Sequence, residues 1–335
     1  MNMKKIGLTA LAGSLVAMTS AVAGELAVSG GAKLSYVSKG GNEDAPATGS
    51  GFGMQENISF TGSGELDNGL TVSLLHVMHS DAAGSSTSSI TVDMGSAGSL
   101  RFMEATSNIG IKAIDDVMPT AEEEVSNGLS IAAGNSATGV AQGGTTYEAH
   151  MGATGFDYTY SMDMGKIVVG YSPKNTSARV DDGATSGDGA GTDSGQSVHV
   201  VLDSLVEGLT VYAGTGQNGT TDNDTAAAVY AAGPITVGYQ WTDRDVEAAN
   251  AGSAADSERT QASIAFAVNE NLSVSYGMIE TDIEGQPQDE ELTGFSVGYS
   301  MGGMTVKAHS HKGEDMGGAA ANEAKHTEIS VSFAF

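Results

Sequence analysis

Lys325-His326-Thr327-Glu328-Ile329-Ser330-Val331-Ser332-Phe333-Ala334-Phe335 closes the chain, and the parity of this stretch decides how the rest is read. From 327 onward the odd positions are Thr, Ile, Val, Phe and Phe, whereas the even positions from 326 are His, Glu, Ser, Ser and Ala. Side chains alternate across a strand, so the segment has one apolar face and one polar face. A water-soluble domain seldom finishes on two exposed phenylalanines. A closed barrel whose outside touches lipid wants such a strand.

The same alternation recurs upstream. Leu26, Val28, Ala32, Leu34 and Tyr36 mark one apolar face; Ile58 with Phe60, then Leu70, Val72 and Leu74, mark the next two. Ile90, Val92 and Met94 precede Leu100 and Phe102; Phe156, Tyr158 and Tyr160 precede Ile167, Val169 and Tyr171. Val198 to Leu202, Leu209 with Val211, Val229 among alanines, and Ile235 to Trp241 continue the series. Ile264 to Val268, Leu272 to Met278, Phe295 to Met301 and Met304 to Ala308 bring it to the final strand, the sixteenth. The intervening positions are small or polar, as in Ser273, Ser275 and Gly277 or Thr236, Gly238 and Gln240.

Alternation alone does not separate a lipid-facing barrel from a sandwich. The connections do. Tight turns rich in Gly, Asn or Asp fall at 67–69, 95–98, 164–165, 207–208, 233–234, 269–271 and 302–303. Between them lie longer polar stretches near 39–50, 80–87, 106–153, 173–196, 215–224, 243–259, 281–290 and 312–323. Strict alternation of short turns with long loops suits a barrel with two unlike membrane sides. The expectation is one all-β domain, a 16-stranded antiparallel transmembrane barrel over 24–335, with both termini on the short-turn side. All five prolines fall between the apolar runs, where no ladder hydrogen bond is lost.

The amino terminus reads as an export signal. Lys4 and Lys5 precede an apolar core from Ile6 to Ala17, and Ala21-Val22-Ala23 supplies the cleavage pattern, so 1–23 is expected to be a signal peptide. No cysteine is present, which removes disulfides, thiol nucleophiles and Cys-ligated zinc. The formal net charge is −27, and −29 once Lys4 and Lys5 are set aside. A polyanion of this size lacks the basic stripe that nucleic acid requires.

With these features the chain resembles the Gram-negative general porins, specifically the alphaproteobacterial type of trimeric sixteen-stranded porin. The resemblance rests on Gly24-Glu25-Leu26-Ala27-Val28-Ser29-Gly30, on Ile58-Ser59-Phe60-Thr61-Gly62 followed by Leu70-Thr71-Val72, on terminal Phe335, and on the longest loop coming third. It implies a water-filled channel for passive diffusion of small hydrophilic solutes, narrowed by an inward-folded third loop. It also implies a homotrimer among the lipids of the outer membrane, and Phe335 as part of the signal read by the barrel-assembly machinery.

Such a channel filters electrostatically and makes no bonds, so no catalytic residues are expected. The third loop carries Asp115, Asp116, Glu122, Glu123 and Glu124, candidates for an acidic constriction that prefers cations. Pro119-Thr120 ahead of Glu123 suggests a short capped helix there, stopped at Asn127-Gly128. Strand parity points Lys33, Arg101, Lys307 and His309 into the lumen as a basic wall, with His311 on the same face. Lys or Arg facing the bilayer midplane would cost on the order of 2–4 kcal/mol. Tyr36, Tyr171, Tyr239, Trp241, Tyr276 and Tyr299 point outward as interfacial girdles.

Other signals carry less. Gly214 to Gly219 spells GxGxxG with no helix after it and reads as loop. Asp181, Asp182, Asp188 and Asp193 offer oxygens to Ca2+ without EF-hand spacing, and no other cofactor is expected. The seven histidines show no HExxH or paired-ligand spacing. The competing expectation is a structural or adhesive outer-membrane barrel without an open channel.

Overall fold

The alternating segments fold, in the computed structural model, into sixteen antiparallel strands, each bonded to its neighbours in sequence and closed by pairing of the first with the last. The structure describes residues 26–41, 49–80, 85–104, 109–129, 154–173, 194–219, 221–247, 256–320 and 322–335. The strands are β1 (Leu26–Gly41), β2 (Gly49–Glu65), β3 (Thr71–His79), β4 (Ser85–Asp93), β5 (Ser99–Glu104), β6 (Gly155–Met162), β7 (Gly165–Ser172) and β8 (Gly195–Val206). They continue as β9 (Leu209–Asn218), β10 (Thr221–Ala232), β11 (Ile235–Val246), β12 (Ser257–Ala267), β13 (Leu272–Ile283), β14 (Glu290–Met301), β15 (Met304–Glu314) and β16 (Ala324–Ala334). The expected signal peptide, the candidate calcium ligands Asp181, Asp182, Asp188 and Asp193, and 130–153 of the third loop lie outside the described residues.

Parity holds along β16. His326, Glu328 and Ser330 are buried, whereas Ile329 and Phe333 are exposed. The seam with β1 aligns the two apolar faces, setting Tyr36 opposite Ile329, Leu34 opposite Val331 and Ala32 opposite Phe333. Phe335 continues the ladder by exchanging two backbone hydrogen bonds of 3.0 Å with Gly30. Its ring stays exposed. An exposed apolar side chain in a membrane barrel is solvated by lipid, so this outer face has no need of a protein core.

All seven expected short turns separate consecutive strands. The expected loop near 215–224 is instead a hairpin, because β9 runs to Asn218 and β10 starts at Thr221. The GxGxxG stretch therefore lies mostly in β9, not in a loop. Its turn is made at Gly219, whose φ of 61° only glycine adopts at no cost. Val229 was expected on the outer face of β10, but it faces inward and is 4% exposed. Alanines on both sides leave its parity undefined; Tyr230, opposite Leu209 and Val237, sets the outer face.

The lumen is not uniformly wet. Ile111 and Ile114 of the third loop pack on Val201, with Val117 and Tyr212 alongside. Leu129 packs with Ile279, Leu292, Met316 and Ala324, with Val125 alongside. Each fully buried Leu or Ile contributes about 1.5–3 kcal/mol, so the two clusters hold the loop at both ends of its described course.

Candidate functional site: a loop laid along the inner wall

Residues 109–129 follow the inside of the barrel from β6 to β16. Gly110 N–H donates to Asp157 Oδ1 of β6 at 2.8 Å, and Ile111 N–H to Ser197 Oγ of β8 at 3.0 Å. Gln240 of β11 is fully buried; its Oε1 accepts from Val117 N–H at 3.1 Å, and its Nε2 donates to the carbonyls of Ile114 and Asp115 at 2.9 and 3.0 Å. Ser263 of β12 donates to Pro119 O at 2.9 Å, and Ser275 of β13 accepts from Ala121 N–H at 2.8 Å. On β15, His309 bonds Glu122 and His311 Nδ1 lies 2.9 Å from Asn127 O. A loop this polar stays indoors because the wall supplies its backbone with partners.

The small inward positions have the same cause. A Cβ placed on Gly170, Gly216, Gly238, Gly277 or Gly298 would fall between 2.5 and 2.8 Å from Gly110, Ile111, Pro119, Val125 and Ala121 respectively. Wall glycines and serines thus form a track for the loop.

The expected helix after Thr120 does not form. Thr120 Oγ1 accepts from Glu122 N–H at 3.2 Å and donates to Glu123 O at 2.8 Å, the Ala121 amide goes to Ser275 of the wall, and the Glu123 amide to the Glu122 carboxylate. A 3-10 turn forms earlier, over Gly110–Ile114, where two isoleucines face a cluster.

The five loop acids separate into two groups. Glu122 sits against His309, with Lys307 and Lys33 close enough to act on it. Burial would raise the Glu122 carboxyl, but the His309 hydrogen bond and the charges of His309, Lys307 and Lys33 hold it below the ordinary range. Burial and the adjacent Glu122 charge raise Glu123. Asp115, Asp116 and Glu124 crowd together further along; Asp116 Oδ1 accepts from Met118 N–H at 2.8 Å. Burial, then the charge and hydrogen bond of Asp116 and the charge of Asp115, push Glu124 up to about 8 against the pull of Arg259.

Lys33 pairs with Glu328 at 2.6 Å, so with Lys307 and His309 it forms a basic group at the β1–β16–β15 seam, in reach of Glu122. Arg101 is not brought to that group. It pairs with Asp157 at 2.6 Å at the root of the loop, where Asp157 also holds Gly110. Asp157 and Arg259 escaped the sequence reading, and Gln240 was read only as a polar inward position. Arg259 falls in a stretch expected to be loop, and extending the parity of Ser263 and Gln261 by one step would have placed it inside.

Two expected outcomes arise here. Gln240→Ala leaves Val117 N–H and two carbonyls without their partner, at about 1–3 kcal/mol for each buried group left bare. A lower thermal unfolding midpoint and faster proteolysis of the loop will register it. Glu124 is neutral at low pH and ionises as pH rises through about 8. Its contribution to stability is therefore complete below the ordinary carboxyl range near 4.5 and is lost as pH rises through 8. The added negative charge will increase the cation preference between pH 7 and 9 in wild type, but not in Glu124→Gln, as read from reversal potentials.

The barrel fold is found in known proteins. A family model described as Gram-negative porin matches residues 7–335. No curated protein sequence matches. Among solved structures, OmpF of Salmonella typhi, in complex with daunomycin, is similar at TM-score 0.64 and 11% identity, covering 93% of this chain and 98% of that one. OmpT of Vibrio cholerae follows at 0.62 and 14%, covering 95% and 99%. A substituted porin of Rh. blastica is similar at 0.59 and 14%, covering 93% and 100%.

Proposed function

The chain belongs to the Gram-negative porin family, and from that premise we propose that it is a water-filled outer-membrane channel for passive diffusion of small hydrophilic solutes, with a preference for cations. The observation that carries this is the third-loop segment, hydrogen-bonded along the inside of the barrel from β6 to β15 with five acids on it. Charges on a loop inside a narrow, low-dielectric conduit act on passing ions at short range, where screening is least. Glu122 is offset by His309 and its lysine neighbours, whereas Asp115 and Asp116 lie with Glu124, apart from that basic group, and are the acids assigned to favour cations.

The protein is exported by cleavage after Ala23 and assembles as a homotrimer, its exposed apolar band shared between lipid and neighbouring copies. Phe335, an exposed ring at the rim of the seam, serves as the assembly signal. Reconstitution of purified protein in a planar bilayer under a KCl gradient tests the function. Steady conductance with a cation-side reversal potential is expected. An anion-side potential would overturn the selectivity, and absent conductance would favour the structural barrel.

A further inference from the structure

Three histidines meet where the loop ends on the wall. His309 and His311 stand two residues apart on β15 and so share its inner face, and His326 of β16 lies directly opposite His311. All three are buried, at 3%, 1% and 3% exposed. One ring nitrogen from each lies within 4.8 Å of those of the other two. His309 and His311 stack with ring centroids 4.1 Å apart, and His309 Nε2 is 2.8 Å from His326 Nδ1.

The partners on the far side of the rings fix which nitrogens are free. Asn127 O is a carbonyl and only accepts, so His311 Nδ1 carries the proton and Nε2 presents a lone pair. That Nε2 is buried and has no hydrogen-bond partner among the described residues. The Glu122 carboxylate likewise accepts from His309 Nδ1–H, so when that ring is neutral, as a metal ligand must be, Nε2 is its lone-pair nitrogen. Carboxylate–His and carbonyl–His contacts of this kind orient metal-ligating imidazoles. A buried imidazole nitrogen facing two others, with nothing to accept from, calls for a cation.

We propose that His309, His311 and His326 bind one borderline transition-metal dication, of the Zn2+, Ni2+ or Cu2+ class, with Glu122 and Asn127 O orienting the first two ligands. Three imidazoles suit these ions, while Ca2+ and Mg2+ demand oxygen. Tetrahedral Zn–N bonds of 2.0–2.1 Å set ligand nitrogens roughly 3.3 Å apart, so His326 shifts away from His309 and His311 closes in. Three protein ligands leave a fourth position open for water or a passing solute. Glu122 supplies negative charge beside the dication. Because Glu122 and Asn127 belong to the third loop, the bound ion ties that loop to β15 and β16. Gly128 is the residue that makes this fit: its φ is 77°, and a Cβ there would overlap the His326 ring.

The test is a titration of tag-free, full-length protein with Zn2+ and separately with Co2+, in detergent and without any need for channel activity. Its failure is thus distinct from failure of the proposed channel. Expected are one saturable Zn2+ equivalent per chain, no competition by excess Ca2+ or Mg2+, and the intense visible absorption of four-coordinate Co2+. His311→Ala should lose the Co2+ band and weaken Zn2+ at least tenfold. Glu122→Gln should weaken it about 10–100-fold, as loss of an orienting partner does. His76→Gln, on an outward-facing histidine, should change nothing. Zn2+ binding by native protein no tighter than by a His309/His311/His326 triple variant, or an octahedral Co2+ spectrum, would overturn the site. The native Co2+ spectrum decides the matter even if a variant fails to fold.

Discussion

Gly238→Val is expected to lift the third loop off the wall. The first carbon added at this position meets Pro119 Cδ at 2.5 Å and the Met118 side chain at 3.1 Å. Proline cannot rotate out of the way, and its carbonyl is held by Ser263 of the next strand at 2.9 Å. Overpacking of this kind costs typically 1–3 kcal/mol. The barrel need not absorb that cost, because its own ladder does not depend on the loop. The loop absorbs it instead, giving up Gln240 and Ser263 as partners. Single-channel recordings should then show a larger and noisier conductance, and protease added from the loop side should cut 109–129 sooner. Gly69→Val, at a turn position where an added Cβ has open space, is the control for a general glycine effect; its φ of 81° adds strain but no loop contact.

Removing the charge on the loop is expected to have the largest effect on selectivity. Joint replacement of Asp115 and Asp116 by Asn, and of Glu122, Glu123 and Glu124 by Gln, keeps shape and removes the carboxylates. Asn and Gln still accept hydrogen bonds, so Met118 N–H keeps a partner at position 116. The lysines and histidine at the β1–β16–β15 seam then lose Glu122 and Glu123 and keep only Glu328 as counter-charge, and the cation preference should fall to unity or reverse. Single replacements should be unequal. Glu124→Gln changes little at neutral pH, because burial and Asp116 keep that carboxyl up to about 8. Asp115→Asn should matter more. Reversal potentials across one KCl gradient for the five single variants and the joint variant separate these contributions. Equal effects from all five would contradict the two-group arrangement of the acids.

Much of the fold was legible in the sequence because period-two alternation is a local signal. Leu34 and Tyr36 can be assigned to the outside without knowing their partners, and the register with Val331 and Ile329 then follows. The signal failed where chemistry did not differ between faces. Alanines around Val229 hid the parity of β10, and acidic residues at strand ends, such as Asp222 and Asp243, made β-strand read as loop. The site was legible in kind but not in arrangement. A run of acids in the longest loop could be seen; that Glu122 meets His309, 187 residues away, could not. Parity puts His309 and His311 on one lumen face of β15, but only the β15–β16 register sets His326 opposite His311 and makes the three a cluster. The glycines carried the most hidden content. They suggested turns, yet Gly238, Gly277 and Gly298 are vacant places on a wall that only the loop makes necessary.

The central claim is that the segment 109–129 lies in the conducting path. Ala113 is exposed on the 3-10 turn of that segment and makes no side-chain hydrogen bond that cysteine would lose. The chain contains no cysteine, so Ala113→Cys gives one unique thiol. A membrane-impermeant, positively charged thiol reagent added during single-channel recording should reduce the cation current in discrete, irreversible steps. Complete modification of the thiol, verified by mass, with unchanged conductance would contradict it.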